Sequence, residues 1–571
     1  MTRSWQIKDT DTDAALGLSR GIRCHPLIGS LLIQRGITTA AAATAFFHPS
    51  LASLANPFDL ADMGTAVQRV TQALVNKENI LVFGDYDTDG VCATAILVGF
   101  LRQAGADPLW HLPHRITEGY GLAPGHIDQV ALPGGIGLVI TADCGSASHE
   151  AIALAKSRGI DVIVTDHHQV SPPLAPALAL VNPQRPDCDS GLTHLSGSGV
   201  AFFLVLALRK HLRELGFWNH GAEPNLKNHC DLVAIGTIAD MVPLTADNRI
   251  LARAGLEVLC QAPKPWLQAL RQDGTLSDPM ITSRDVAFRL APRLNASGRL
   301  DHAGNSLNFL LAQDLATSLP LAALLNRLNS RRQDLEKAIW DDINNLIRTH
   351  PGLEREPTLV MADPFWHEGV LGIAAGRLAK QMGKPVVLIS TKSGMGKGSA
   401  RSVAGIDLFR AMTMSADFIQ RYGGHEMAAG LTLEPAMIPG FAQTFSKAVV
   451  FLRGTTTPAP DPVLVDGCLQ PAAISEALVN ELEWLEPFGV GNPEPVFMAE
   501  GVKVDHFRRM GNAHWQLRLS GGSAAPVLEA VWFNPPAAKP PARFKRIAFH
   551  LGRNRWNGKN AIRLFIQAGE P

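Results

Sequence analysis

The stretch 80-ILVFGDYDTDGVCAT-94 decides how the rest of the chain is read. Ile80, Leu81, Val82 and Phe83 form a short apolar, β-prone run, as a strand buried on both faces would. Gly84 opens a turn, and Asp85, Asp87 and Asp89 follow at alternate positions. From Val91 the apolar spacing (Val91, Ala95, Leu97, Val98, Leu101) becomes that of a helix. Three carboxylates therefore sit just beyond the carboxyl end of a strand, where open α/β sheets place their ligands. Carboxylates this crowded stay ionised together only if a cation neutralises them, and hard oxygen ligands suit magnesium or manganese. Asp-rich turns are common, so the neighbouring segments must decide.

They repeat the pattern. Strand-like Gly137–Thr141 ends at Asp143, and Asp161–Thr165 ends at Asp166-His167-His168. Asp240 closes a further apolar segment that begins at Asp231. Strand-like and helix-like segments alternate from Ile80 to about Asp240, as in a mostly parallel sheet with crossover helices. The carboxyl ends of such strands lie along one edge, so these carboxylates and imidazoles would converge into a two-metal site.

Composition bounds the rest. A chain of 571 residues holds roughly three or four domains. With 46% apolar and 18% charged residues it can bury real cores. Seven cysteines without a CxxC pair fit reduced thiols better than a disulfide framework or a zinc ribbon. The opening MTRSWQIKDTDTDAALG lacks a secretory core, and Gly199–Leu208 is about half the length of a membrane span. A soluble cytoplasmic protein is the expectation. The net charge is zero, yet residues 501–571 carry twelve basic against three acidic residues, a net +9. A basic tail on a neutral chain points to a local anionic partner.

The motifs GDYDTDG, TADCG, VTDHH and GTIADMVPL resemble, in order and spacing, those of the DHH phosphoesterase superfamily. PHRITEGYGL (113–122), LSGSGVAF (195–202), RLAPRLNASGRL (289–300), WHEGVLGIAAGRLA (366–379), GKGSARSVAGIDL (396–408), RYGGHEMAAG (421–430) and LEPFGVGNPEPVF (485–497) extend the likeness to its single-strand-specific DNA exonuclease branch, over nearly the whole chain. The resemblance implies two α/β lobes, a DHH catalytic domain with a parallel sheet and a DHH-associated domain, joined by a long helix and followed by a C-terminal OB-fold barrel. The expected divisions are an N-terminal helical segment of the catalytic lobe (1–75), the catalytic domain (76–300), the connecting helix (301–350), the associated domain (351–453) and the barrel (462–571). Gly454–Pro462 has linker composition.

By the same resemblance the activity is 5′→3′ hydrolysis of single-stranded DNA to 5′-mononucleotides, in recombination and repair, with two Mn2+ or Mg2+ ions. Asp87 would serve mainly one ion and Asp89 the other, with Asp143 bridging, His167 and Asp240 completing the second site, and Asp85 ligating or orienting. His168 would face the scissile phosphate. Arg115, Arg293, Asn295, Arg299, Ser399, Arg401 and His425 are the candidates for holding DNA, since guanidinium forks and hydroxyl donors suit phosphates. The Gly-rich stretches 394–398 and 423–425 are expected to be turns that offer backbone N–H groups to phosphate. In the tail, basic residues interleave with Phe507, Trp515, Trp532, Phe544 and Trp556, the mixture that binds single strands without sequence preference. A monomer acting with a single-stranded-DNA-binding protein and a helicase is the expected setting.

Two rival readings are a DHH phosphodiesterase of short oligonucleotides or cyclic dinucleotides, and an inert replication scaffold. The basic tail and the chain length weigh against the first. The complete set Asp85, Asp87, Asp89, Asp143, Asp166, His167, His168 and Asp240 weighs against the second.

Overall fold

The structure is a computed structural model and describes residues 4–219, 221–261, 264–276, 278–454, 462–511, 514–521, 527–537, 539–554 and 560–571. The expected linker (455–461) and Trp556 lie outside the described residues.

A short strand β1 (Trp5–Ile7) and the helices Thr12–Ile22, Pro26–Ile33 and Ala40–Phe47 precede the first sheet. That sheet is formed by β2 (Ile80–Gly84), β3 (Leu109–His111), β4 (Leu138–Ala142), β5 (Asp161–Thr165) and β6 (Ala179–Val181). Its order is β3-β2-β4-β5-β6, and all four pairings are parallel. The strand alternation explains why it is covered twice. Ile80 and Val82 pack with the helices Met63–Asn76, Thr88–Gln103 and Gly197–Glu214, while Leu81 and Phe83 pack on the other face with Ile127, Ile152 and Ala155. From β2 the chain crosses to β3 on one side and later to β4 on the other. The switch point therefore lies between β2 and β4, where Asp85 and Asp143 emerge. The segment before Asp240 is a helix, Cys230–Ala239, so Asp240 reaches the same edge as a helix C-cap.

The long helix Leu315–Thr349 has 35 residues, about 52 Å at 1.5 Å per residue, and leads to the second lobe. There β7 (Leu359–Asp363) and β8 (Val386–Ser390) pair in parallel. The strands β9 (Gly396–Arg401), β10 (Arg421–Gly424) and β11 (Ala428–Leu433) complete a mixed sheet of order β10-β11-β9-β8-β7. Two stretches expected to be Gly-rich turns are thus largely strand: Gly396 and Gly398 lie in β9, and Gly423 and Gly424 in β10. Closeness of neighbouring strands accounts for this. A Cβ on Gly398 would lie 2.7 Å from Leu431 Cδ2.

β12 (Val463–Val465) and β13 (Gly467–Cys468) lead into a closed barrel. β14 (Phe497–Met510), β15 (His514–Ser520), β16 (Leu528–Phe533) and β18 (Ala561–Glu570) follow one another around it, and β17 (Arg543–Asn554) closes it by pairing with both β18 and β14. Its interior holds Trp515, Trp532 and Phe544. These rings, expected as stacking platforms, are core residues, since their alternation on the strands turns them inward.

Residues 1–75 divide between two bodies rather than forming a segment of the catalytic lobe. Leu18, Ile28, Leu31, Leu32, Ala43 and Phe47 share one apolar cluster with the barrel, whereas Leu60 to Leu74 belong to the catalytic core. β1 also pairs in parallel with β12. Buried Arg249 fixes the junction, donating to the carbonyls of Phe46, Trp484, Leu485 and Glu486.

Candidate metal centre and phosphate cleft

Each acidic side chain is placed by the element that precedes or follows it. Asp85 extends β2 by one residue, its N–H donating to Ala142 O at 3.1 Å. Asp87 is the N-cap of Thr88–Gln103 and accepts the Gly90 N–H at 3.0 Å. Asp89, in the first turn, is buried and accepts the N–H groups of Gly197 (2.6 Å) and Ser198 (3.1 Å) at the start of Gly197–Glu214. Asp143 leaves β4 with φ +64°, a left-handed conformation that aspartate tolerates better than most residues. His167 follows β5, its Nε2 3.2 Å from Asp143 Oδ1 and 3.6 Å from Asp240 Oδ2.

Potential ligand atoms gather into three overlapping groups, each within 4.8 Å: Asp85, Asp87 and Asp143; Asp89, His167 and Asp240; Asp143, His167 and His168. Asp143 and His167 each belong to two of them. Asp85 Oδ1, Asp143 Oδ1 and His167 Nε2 are buried and have no hydrogen-bond partner in the protein. The His167–Asp143 contact is close but misaligned for a hydrogen bond. Buried polar atoms without partners are costly, by about 1–3 kcal/mol each, and divalent cations held by these overlapping groups would satisfy them.

The electrostatics agree. Burial, followed by the charge of the neighbouring carboxylates, raises the pKa of Asp85 and Asp143 well above the carboxylate range. Burial likewise raises Asp89, and burial together with Asp89 and Asp87 pushes Asp240 up to about 8. Burial lowers His167, which favours the neutral ring a metal needs. A set of oxygen ligands with one imidazole fits manganese or magnesium.

Asp166 is different. Its Oδ2 accepts from Ser146 N–H (3.0 Å), and its Oδ1 from His167 N–H (2.8 Å), His168 N–H (3.1 Å) and His168 Nδ1 (2.8 Å). Burial works against its ionised form, but the His168 bond and charge and these amides prevail, and its pKa falls below the usual range. With both oxygens occupied it orients His168. Burial depresses His168, yet Asp166, Asp85 and Asp240 outweigh that and lift it to about 9.

The candidate DNA-holding residues divide. Burial and then the charge of Arg115, with Arg332 and Arg401 adding to it, lower Arg299 to about 9; burial and Arg115 also lower Arg401. These three guanidinium groups, drawn from both lobes, are therefore near enough to feel one another's charge. Arg299 Nη1 reaches Gly369 O at 3.4 Å, and Arg401 Nη1 lies 3.2 Å from Ser399 Oγ. A Cβ on Gly372, in the first turn of helix Leu371–Met382, would lie 2.9 Å from Arg401 Nη2 and 3.0 Å from Ser399 Oγ. That helix start adds its dipole to the positive cluster. Mutually repelling cations beside a helix N-terminus are an arrangement suited to an anion.

Arg293 is not brought to it. Its Nε donates to Asn326 Oδ1 at 2.6 Å, tying it to the long helix. Asn295 instead supports the metal loop, since its Oδ1 accepts the Thr88 N–H at 3.0 Å. His425 is exposed in the turn between β10 and β11, three residues before Ala428, which pairs with Arg401.

Sequence reasoning missed several residues. Tyr120 lies in a segment singled out only for Arg115, yet its hydroxyl is 3.2 Å from His168 Nδ1. Gly197 and Gly236 are equally constrained. A Cβ on Gly197 would lie 2.3 Å from Asp143 Oδ1, and one on Gly236 2.2 Å from Asp89 Oδ1. Their presence in the quoted LSGSGVAF and within Asp231–Asp240 was the available signal.

Family models match three regions: the DHH family N-terminal domain at residues 79–237, the DHHA1 domain at 356–450 and the RecJ OB domain at 465–568. The chain is 34% identical to the single-stranded-DNA-specific exonuclease RecJ of Escherichia coli, covering 99% of each. It is 36% identical to that of Thermus thermophilus over 90% of this chain and 73% of the relative. The crystal structure of Thermus thermophilus RecJ in complex with Mn2+ superposes with a TM-score of 0.81 at 30% identity, covering 100% of this chain and 79% of that one.

Proposed function

The chain belongs to the RecJ family and is a metal-dependent, single-strand-specific DNA exonuclease; we propose that it works from the 5′ end and releases 5′-mononucleotides. One observation carries the site assignment. Three buried ligand atoms without protein partners converge at the switch point of the sheet, beside an arginine cluster that, among the described residues, forms no ion pair with a carboxylate.

In this reading Asp85, Asp87, Asp89, Asp143, His167 and Asp240 hold two ions, with Asp143 common to both. Divalent ions bound there would lower the pKa of an attacking water and neutralise charge on the phosphate. Arg115, Arg299 and Arg401, with Ser399, grip the terminal phosphate and set the reacting phosphodiester over the carboxylate edge. His168, its Nδ1 held by Asp166, presents its other ring nitrogen toward the phosphate oxygens as a hydrogen-bonding group. Gly197 and Gly236 allow Asp143 and Asp89 to stand where they do.

Overall neutrality fits either positive charge focused in a groove or delivery of the substrate by a partner such as a single-stranded-DNA-binding protein or a helicase. All seven cysteines are free, and no helix among the described residues is long and apolar enough to cross a membrane.

The test is a 3′-labelled single strand with Mn2+, run beside its duplex and a 5′-blocked copy. A ladder shortening from the free 5′ end of the single strand alone is expected. Turnover of dinucleotides with no cleavage of long strands would overturn the proposal.

A further inference from the structure

The loop from Leu112 to Ala123 leaves β3 and enters the helical turn Pro124–His126. It carries two side chains to the site: Arg115, whose guanidinium carbon is 4.8 Å from the Tyr86 ring centre, and Tyr120, beside His168. Between them in sequence, Glu118 binds elsewhere. Its Oε2 is 3.0 Å from His111 Nε2 and 3.1 Å from His126 Nε2. His111 ends β3 and His126 closes the turn beyond the loop, so one carboxylate ties the middle of the loop to both of its ends. The two rings lie against Phe83 of β2, centroids 5.5 and 4.8 Å away, two residues before Asp85.

Two histidines and a glutamate also have the composition of a zinc site. The hydrogen bonding decides against that. Ala123 N–H donates to His126 Nδ1 at 2.9 Å, so the neutral ring carries its proton on Nε2, aimed at Glu118. A metal on Nε2 would require that proton on Nδ1, where the Ala123 N–H already points. His111 and His126 therefore act as donors and Glu118 as the common acceptor. Nearby His114 is occupied by the N–H groups of Ile116 and Thr117, and His302 by that of Gly304. Within the loop, Glu118 and Gly119 N–H donate to His114 O at 2.9 and 3.2 Å, and Leu112 and Leu122 are buried at its two ends. Gly119 and Gly121 adopt φ of +85° and +81°, and the segment forms no strand ladder, so the Glu118 carboxylate is the side-chain tie from the middle of the loop to both of its ends.

We propose that Glu118, clasped between His111 and His126, is a positioning residue of the nuclease that holds the 112–123 loop so that Arg115 and Tyr120 face the reacting phosphate. This rests on the exonuclease reading of the site. Misplacing reacting groups by about 1 Å can lower a rate on the order of 100-fold.

The experiment compares full-length wild type with Glu118→Ala, Glu118→Gln, His126→Ala and the double variant Glu118→Ala/His126→Ala. It measures kcat/KM on single-stranded DNA, and Mn2+ binding alongside. Glu118→Ala should lose about 10- to 100-fold in kcat/KM while its Mn2+ affinity stays within about twofold. Glu118→Gln, which keeps an oxygen acceptor, should recover most of the loss, and the double variant should be no worse than Glu118→Ala. A Glu118→Ala enzyme indistinguishable from an active wild type, losses that multiply in the double variant, or stoichiometric zinc retained by wild type and lost from Glu118→Ala would each overturn the clasp. An inactive wild type would instead refute the exonuclease reading.

Discussion

Gly236 sits inside the helix Cys230–Ala239, where helix propensity alone would favour alanine by about 1 kcal/mol. The site opposes that gain. An alanine Cβ would lie 2.2 Å from Asp89 Oδ1, 2.3 Å from Ser198 Oγ and 2.8 Å from Ser198 Cβ. Asp89 must then move by roughly 1 Å to restore van der Waals distance, and it cannot do so without weakening its bonds from the Gly197 and Ser198 amides. Overpacking of this kind costs about 1–3 kcal/mol, so the expected net change runs from no effect to about 2 kcal/mol of destabilisation. Function should suffer more than stability, because Asp89 leaves the group it forms with His167 and Asp240. A loss of turnover on the order of 100-fold is expected, with Mn2+ binding weakened in parallel. Thermal melts, Mn2+ titration and the 3′-label assay on Gly236→Ala measure all three. A variant more stable than wild type and within about threefold of its turnover would show that the glycine is not there to seat Asp89.

Asp143→Asn keeps a side chain that tolerates the left-handed backbone but removes one of several mutually repelling charges. The metal-free variant should melt no lower than wild type near neutral pH while losing at least about 100-fold in Mn2+-dependent turnover; a lower melt with retained turnover would contradict the bridging role. In the barrel, Trp515→Ala should act through stability, by about 3–5 kcal/mol, because the ring is core. Exposed Arg508→Ala and Arg518→Ala should leave the melt unchanged and each reduce the salt dependence of single-strand binding by about 0.7 in log–log slope; the reverse pattern would return the rings to the DNA surface.

The carboxyl edge of the first sheet was legible because each strand there is a short apolar run ended by a polar group, a signal contained within about ten residues. The element before Asp240 was not so readable. Its run from Leu232 to Ile238 is buried throughout, with Thr237 the one polar residue in it, so neither a period of two nor one of 3.6 stands out. The barrel aromatics misled for a related reason. Alternation tells which residues share a face but not whether that face is the inside, and Trp515, Leu517 and Leu519 turn out to share the inner one. The pairing of Trp5–Ile7 with Val463–Val465 spans more than four hundred positions and leaves no local trace.

Side-chain roles within the site were the least legible part, since residue type does not set them. Asp166 and Asp143 both follow buried parallel strands and would be read alike. Asp166 is met by three backbone amides and an imidazole, which saturate its oxygens and make it an orienting group. Asp143 Oδ1 meets no donor, and that lack is what fits it to a cation. The arginines divide in a similar way: Arg293 gives its Nε to Asn326, whereas Arg299 and Arg401 form no ion pair among the described residues and feel the charge of Arg115. At the carboxyl edge of the first sheet, it is the matching of oxygen atoms, not residue type, that separates Asp143 from Asp166. Part of that matching is visible only in three dimensions, because Ser146 reaches Asp166 from 20 residues away and Gly197 reaches Asp89 from 108.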